Sequence, residues 1–227
     1  MTKPTAKTEF VFLTVPDDVK PEDASNQQGQ DLLKVFQAVK EQEGFVLSGW
    51  GRSEEDKNAI TWITEWSNNS ATMDIEGLKP LALGTPKILK IKTVLEPTLS
   101  EVGGLKASAC VDVTTLTLKG NRTEEEIVAD WACIQRMKKC VTQDVAAEVQ
   151  PGFYCLSTTD TFPQLDFDKS PTGKADLCVA VVGWTSMQQH LDMWKTDEFK
   201  AMIPSVRGRL LPYPQGAGMK HSHFHLI

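Results

Sequence analysis

Two unequal copies of one unit account for nearly all of this chain, and that duplication limits its fold more than any other feature. The first copy runs through FVFLTV (Phe10 to Val15), a helical stretch DLLKVFQAVKEQ, EGFVLSGWG (Glu43 to Gly51), ITWITEW (Ile60 to Trp66) and KILKIKTVL (Lys87 to Leu95). The second answers with VDVTTLTL (Val111 to Leu118), EEIVADWACIQRMKKCV, PGFYCLST (Pro151 to Thr158), LCVAVVGW (Leu177 to Trp184) and HSHFHLI (His221 to Ile227). All four histidines fall near the end of the second copy. A duplication in which one copy alone keeps these titratable groups points to one working site and one scaffold copy.

Period and punctuation give the elements. Short apolar, β-branched runs stopped by Pro or Gly read as buried strands. From Asp31, the apolar set Leu32, Leu33, Phe36 and Val39 has helical spacing, and Gly44 suits the C-terminal cap. After Trp66 the segment SNNSATMDIEGL, with Ser67 as N-cap, predicts a second short helix. A last strand then completes a β-α-β-β-α-β order, the ferredoxin-like arrangement. In the second copy Thr123 and Glu126 have capping-box spacing, ahead of an apolar stripe of Ile127, Trp131, Ile134, Met137 and Val141. Thr185 is the expected cap of a helix carrying His190, Leu191 and Trp194. The fold class is therefore α+β, with tandem repeats over residues 8–96 and 107–227 and a Pro/Gly-bearing linker over 97–106. The long stretches FPQLDFDKSPTGKAD and IPSVRGRLLPYPQGAG read as loops that serve as lids or pocket walls.

With 227 residues and 41% hydrophobic content, the chain can bury a substantial core. A net charge of −6 and a pI near 5.3, with no Lys/Arg block, argue against nucleic acid as a partner. No stretch reaches the roughly 18 apolar residues of a membrane span, and MTKPTAKTEF has no apolar signal core, so the expected location is cytoplasmic. The five cysteines are odd in number and include no C-x-x-C pair, which fits neither a disulfide framework nor a zinc signature. They read as small apolar core residues, although a thiolate at Cys155 or Cys178 would need only a nearby His. No phosphate loop, dinucleotide fingerprint or G-x-S-x-G elbow is present.

The run VAVVGWTSMQQHLDMWKTDEF, a strand ending in Gly-Trp followed by a capped helix carrying His, with a His-bearing final strand later, resembles the dimeric α+β barrel superfamily. In particular it resembles fungal tandem members of the antibiotic-biosynthesis-monooxygenase-like group, over residues 8–96 and 108–227. The resemblance implies two ferredoxin-like sheets closing into a barrel, as a monomeric internal pseudo-dimer or a homodimer, with a pocket between sheet and helices. It implies relatives that work without a cofactor on polyphenols or polyketides, besides haem-degrading enzymes. The first copy departs from the second: Thr72 stands where His190 would, and Lys87, Lys90 and Lys92 stand in its last strand in place of histidines.

His221, His223 and His225 alternate with Ser222, Phe224 and Leu226, so a strand projects all three imidazoles from one face at about 7 Å spacing. Three readings stay open: a solvated terminal strand, general acid/base catalysis, and metal binding with help from elsewhere. His190 is either a surface helix residue or the opposite wall of the same pocket. The candidate catalytic set is His190, His221, His223, His225 and Tyr154, with Phe153, Trp184, Trp194, Tyr213 and Phe224 lining a substrate pocket. Each aromatic is equally a core residue, as are Trp50, Trp62 and Trp66. No cofactor or metal is expected, and the partner is a small-molecule substrate. The expected chemistry is proton transfer on a polyketide-like carbonyl compound by cyclisation, isomerisation, dehydration or decarboxylation. The alternatives are cofactor-free oxidation of a phenol to a quinone and ligand binding without chemistry.

Overall fold

The computed structural model describes residues 6–227, apart from the side chains at 85–87, so Lys87 lies outside the described side chains. The chain runs β1 (Lys7–Thr14), α1 (Gln27–Gln37), β2 (Phe45–Ser53), β3 (Ala59–Trp66), β4 (Leu83–Thr93), β5 (Leu95–Glu96), β6 (Cys110–Lys119), α2 (Glu124–Lys139), β7 (Phe153–Ser157), β8 (Gln164–Asp166), β9 (Lys174–Trp184), α3 (Met187–Lys195), α4 (Asp197–Arg207) and β10 (Met219–Leu226). The strands form one mixed-length antiparallel sheet in the order β4-β1-β3-β2-β10-β6-β9-β7-β5, with β8 added beside β9. The order β4-β1-β3-β2 recurs as β10-β6-β9-β7, and β2 joins β10 where the two quartets meet.

Its two ends, β4 and β5, follow each other in the chain with only Val94 between them. One segment therefore pairs with β1 on one side and β7 on the other, and the Val94 carbonyl accepts the Thr158 amide at 3.0 Å. The sheet closes on itself within one chain. Its inside is largely apolar: Phe10, Phe12, Val111, Val113, Phe153 and Phe224 pack there with Leu99 and Leu105. Those two leucines belong to the 97–106 segment, which plugs the barrel.

Outside the barrel, helices cover each half differently. The first half has α1, whose Leu32 and Phe36 pack on Trp50, Trp62 and Ile60. The second half has α2, α3 and α4, whose Ile134, Met193, Phe199 and Met202 pack on Tyr154, Val182 and Trp184. The capping box at Thr123 and Glu126 forms as its spacing requires. Other expectations need correcting. Helix α1 starts at Gln27, capped by Asn26, earlier than its apolar stripe suggests. Ser186, one residue past Thr185, caps α3, while the Thr185 hydroxyl donates to Gln189 Oε1. The stretch beginning at Ile203 is not all loop, because Ile203 to Arg207 form the end of α4 with Pro204 inside it.

The short helix expected after Trp66 does not form; only the turn Glu76–Leu78 is helical there. The reason is the buried carboxylate of Glu9, which takes the Met73 amide at 2.6 Å and the Thr72 hydroxyl at 2.5 Å. Ser67 is drawn to the Gly44 carbonyl instead of capping. Backbone donors committed to a side chain are not free for an i to i−4 ladder. Among the described residues, no helix is long and apolar enough to cross a membrane.

Candidate active site

A cavity of about 210 Å³ lies between the outer face of β6 and β9 and the three helices of the second half. Apolar side chains dominate its wall, with Asp112, Thr114, Tyr154, Trp184, His190, Arg207 and Tyr213 as the polar groups. Alternation along β6 turns Asp112, Thr114 and Leu116 outward while Val111 and Val113 fill the barrel. The Ser186 cap starts α3 directly above the end of β9, so His190 arrives over Trp184, stacked at 4.6 Å between ring centres. Trp194, one turn further, meets the same imidazole edge-on at 4.9 Å.

β10 pairs with β6 so that His221 faces Asp112 across the ladder. The His221 Nε2 lies 2.5 Å from His190 Nδ1, and both rings are buried. On its other side His221 Nδ1 is bonded to Glu55, whose second oxygen accepts the His221 amide at 3.2 Å. Glu55 belongs to the turn between β2 and β3, and the Ser53 hydroxyl donates to it at 2.6 Å. Burial pushes the Glu55 carboxyl up, but its bonds to Ser53 and His221 outweigh that and leave it below its usual value. The carboxylate must therefore accept from His221 Nδ1–H. With His221 neutral, its Nε2 accepts from His190 Nδ1–H, which leaves the lone pair on His190 Nε2. Burial pulls His190 down to about 3, and any charge on His221 lowers it further, so its ring is neutral near neutrality. Burial pushes Asp112 up to about 6, against the pull of His221 and of the Thr114 hydroxyl that donates to it at 2.6 Å.

The expected residues separate into groups. His190, Tyr154, Trp184, Trp194 and Tyr213 line the cavity, and His221 joins through His190. Tyr154 is fully buried, which raises its hydroxyl pKa and favours a neutral phenol. Phe153 and Phe224 lie inside the barrel, away from the cavity. His223 and His225 are exposed further along β10, where His225 stacks on Trp50 of the first half at 4.5 Å. The strand does present the three histidines on one face, but a twisting strand carries that face out of one helix layer and towards the other. Cys155 and Cys178 are buried, their thiols pushed up to about 12, and Cys178 meets Ser157 and no histidine.

Asp112 and Glu55 were not among the expected site residues. Asp112 was the visible one, an acid in the middle of the strand VDVTTLTL. Asp112, His190 and His221 are also the group of described residues able to hold a metal ion, with ligand atoms within 4.8 Å of one another. The two histidine nitrogens that would face an ion there face each other.

No family model matches this chain. No curated protein matches it either. Solved structures do, at the level of fold. An anthrone oxidase-like protein superposes with a TM-score of 0.57 at 12% identity, covering 98% of this chain and 93% of that one. A proposed chlorite dismutase gives 0.54 at 8% identity, covering 97% and 95%. A proposed monooxygenase of Fusobacterium nucleatum gives 0.51 at 14% identity, covering 100% and 94%. The chain thus has the α+β barrel fold of these proteins, a mixed fold built on a large antiparallel sheet.

Proposed function

We propose that the cavity is the active site of a cofactor-independent tailoring enzyme that moves a proton on a small, apolar, oxygenated substrate of polyketide type. The observation that carries this reading is the run Glu55, His221, His190, which ends at the wall of an apolar cavity. His190 Nε2 takes a proton from carbon next to a carbonyl, and the electron pair moves onto the carbonyl oxygen. The Nδ1 proton of His190 shifts to His221, and the charge is shared with Glu55, so no isolated imidazolium is left in an apolar site. Return of the proton at another carbon gives isomerisation or drives cyclisation, and loss of water or carbon dioxide gives the lyase outcomes. We read the chain as two ferredoxin-like repeats, residues 8–96 and 107–227 joined by 97–106, in line with the recurring strand order. Closure within one chain favours a monomeric pseudo-dimer, placed in the cytoplasm.

The second reading is cofactor-free oxygenation, prompted by the anthrone oxidase-like neighbour. After the same deprotonation the substrate anion reduces dioxygen. A methylene becomes a carbonyl, with one oxygen atom in the product and the other in water. Both readings are tested by comparing metabolites from a host with the gene intact, deleted, or restored as His190→Ala. Accumulation of one precursor in the deleted and substituted strains supports a His190-dependent enzyme, and the mass change names the reaction. An unchanged profile in both removes the enzyme reading in favour of a binding protein. Loss of activity on chelation would move the site to metal chemistry.

A further inference from the structure

The two halves carry the same four positions, one set filled and one set open. Lys7 faces Trp66 across β1 and β3, and Cys110 faces Trp184 across β6 and β9; two residues further along stand Glu9 and Asp112. The last strands agree, since Glu9 faces Lys92 and Asp112 faces His221. In the first half the carboxylate is saturated. The Trp66 indole N–H donates to Glu9 at 3.0 Å, the Met73 amide and Thr72 hydroxyl add two more bonds, and Lys90 lies 3.4 Å away.

In the second half the indole N–H of Trp184 has no partner, although the residue is 1% exposed and lines the cavity. Asp112 has the Thr114 hydroxyl and, among the described residues, no Lys or Arg ion pair. The place of Thr72 is taken by His190, which is turned to His221. Aspartate is one methylene shorter than glutamate. At the same register the shorter side chain does not reach the indole: Trp66 bonds Glu9 at 3.0 Å, whereas Trp184 Nε1 makes no bond to Asp112 and a gap is left between them. One oxygen atom hydrogen-bonded to both groups at about 2.8 Å spans such a gap.

We propose that Trp184 and Asp112 form a hydroxyl subsite: a ligand oxygen accepts the Trp184 N–H and donates its own proton to Asp112. The ligand class is a flat apolar molecule with a phenol or enol hydroxyl. Such an oxygen satisfies a buried donor and a buried acceptor at once, and the walls of Trp184, Trp194 and Met193 suit the rest of the ring system. That this ligand is also the substrate rests on the function proposed above; its binding does not.

The test is titration of the purified protein with 2-naphthol, 2-methoxynaphthalene and naphthalene, read by calorimetry. Wild type should bind 2-naphthol about tenfold or more tighter than naphthalene, with the methoxy compound, an acceptor only, in between. Trp184→Phe should bring the methoxy compound down to naphthalene. Asp112→Val should bring 2-naphthol down to the methoxy compound. Circular dichroism checks that both variants fold, and where one does not the other carries the test. Equal binding of all three probes by wild type, as when ordered water closes the gap for good, overturns the subsite. So does a preference for the methoxy compound over naphthalene that survives in a folded Trp184→Phe protein. The expected preference in a protein whose His190→Ala form changes no metabolite would retire the enzyme reading and leave the subsite standing.

Discussion

His190 and His221 meet nitrogen to nitrogen at 2.5 Å, although one rides on α3 and the other on the last strand. The contact joins two buried imidazoles into one run that ends on the carboxylate of Glu55. It also separates the histidines in function. His190→Ala and His221→Ala should each lower turnover by about 100-fold or more, as expected for loss of a general base. Glu55→Gln keeps a bond to His221 but loses the charge, and should lower kcat by about tenfold with KM little changed. His223→Ala and His225→Ala should stay within about twofold, since both side chains are exposed outside the cavity. Steady-state kinetics on the five variants checks this; a His223 variant as inactive as the His190 variant would place the base elsewhere.

Trp66 and Trp184 end equivalent strands, and their indoles differ in one bond. Trp66→Phe removes a donor from the buried Glu9 carboxylate, leaving it with one partner fewer. That should cost about 1–3 kcal/mol. Trp184→Phe removes a donor that has no protein partner, so beyond the loss of buried ring volume that both variants share it should cost about 1–3 kcal/mol less than Trp66→Phe. Urea denaturation of the two variants reads the contrast directly. Equal losses would mean that the second indole is satisfied after all.

The free thiols give a probe of how dry the second half is. Cys110, Cys140, Cys155 and Cys178 are buried, and burial pushes Cys110 up to about 11. Cys133, half-buried on α2, is the accessible one. Thiolate is the reactive form, so titration with a disulfide reagent near pH 8 should find about one thiol in the native protein and all five only after denaturation.

Much of this fold could be read from alternation and capping. The apolar runs became strands, and Thr123 with Glu126 capped α2, because these signals act over a few residues. What escaped depends on distant partners. The segment after Trp66 has the composition of a capped helix, and the buried Glu9, 64 positions before Met73, redirects the Met73 amide. Pro204 reads as a helix breaker, yet Phe199, Met202 and Val206 anchor α4 firmly enough to absorb a lost backbone bond. In the site, His190 and His221 were visible as residue types, whereas Glu55 in RSEEDKN looks like any acid in a solvated turn. Nothing local says that the β2–β10 pairing will bring that turn to the second half.

Asp112 and His190 should offset each other in the pH dependence of stability. Unfolded, they titrate near 3.8 and 6.5; folded, burial moves them to about 6 and about 3. Asp112 is raised, so its contribution is present at low pH and is lost as pH rises to about 6. His190 is depressed, so its contribution is present above about 6.5 and is lost as pH falls towards about 3. Between about pH 4 and 6 the unfolded chain holds one proton on the histidine and the folded chain holds one on the aspartate. Proton numbers then match, and the pair adds no slope. Asp112→Asn removes the offset and leaves His190 alone. Its stability should fall with acid, relative to wild type, by about 1.4 kcal/mol per pH unit over that window. Urea melts of both proteins at about pH 4.5, 5.25 and 6 measure the difference, and parallel curves would show that His190 is not held neutral by its burial.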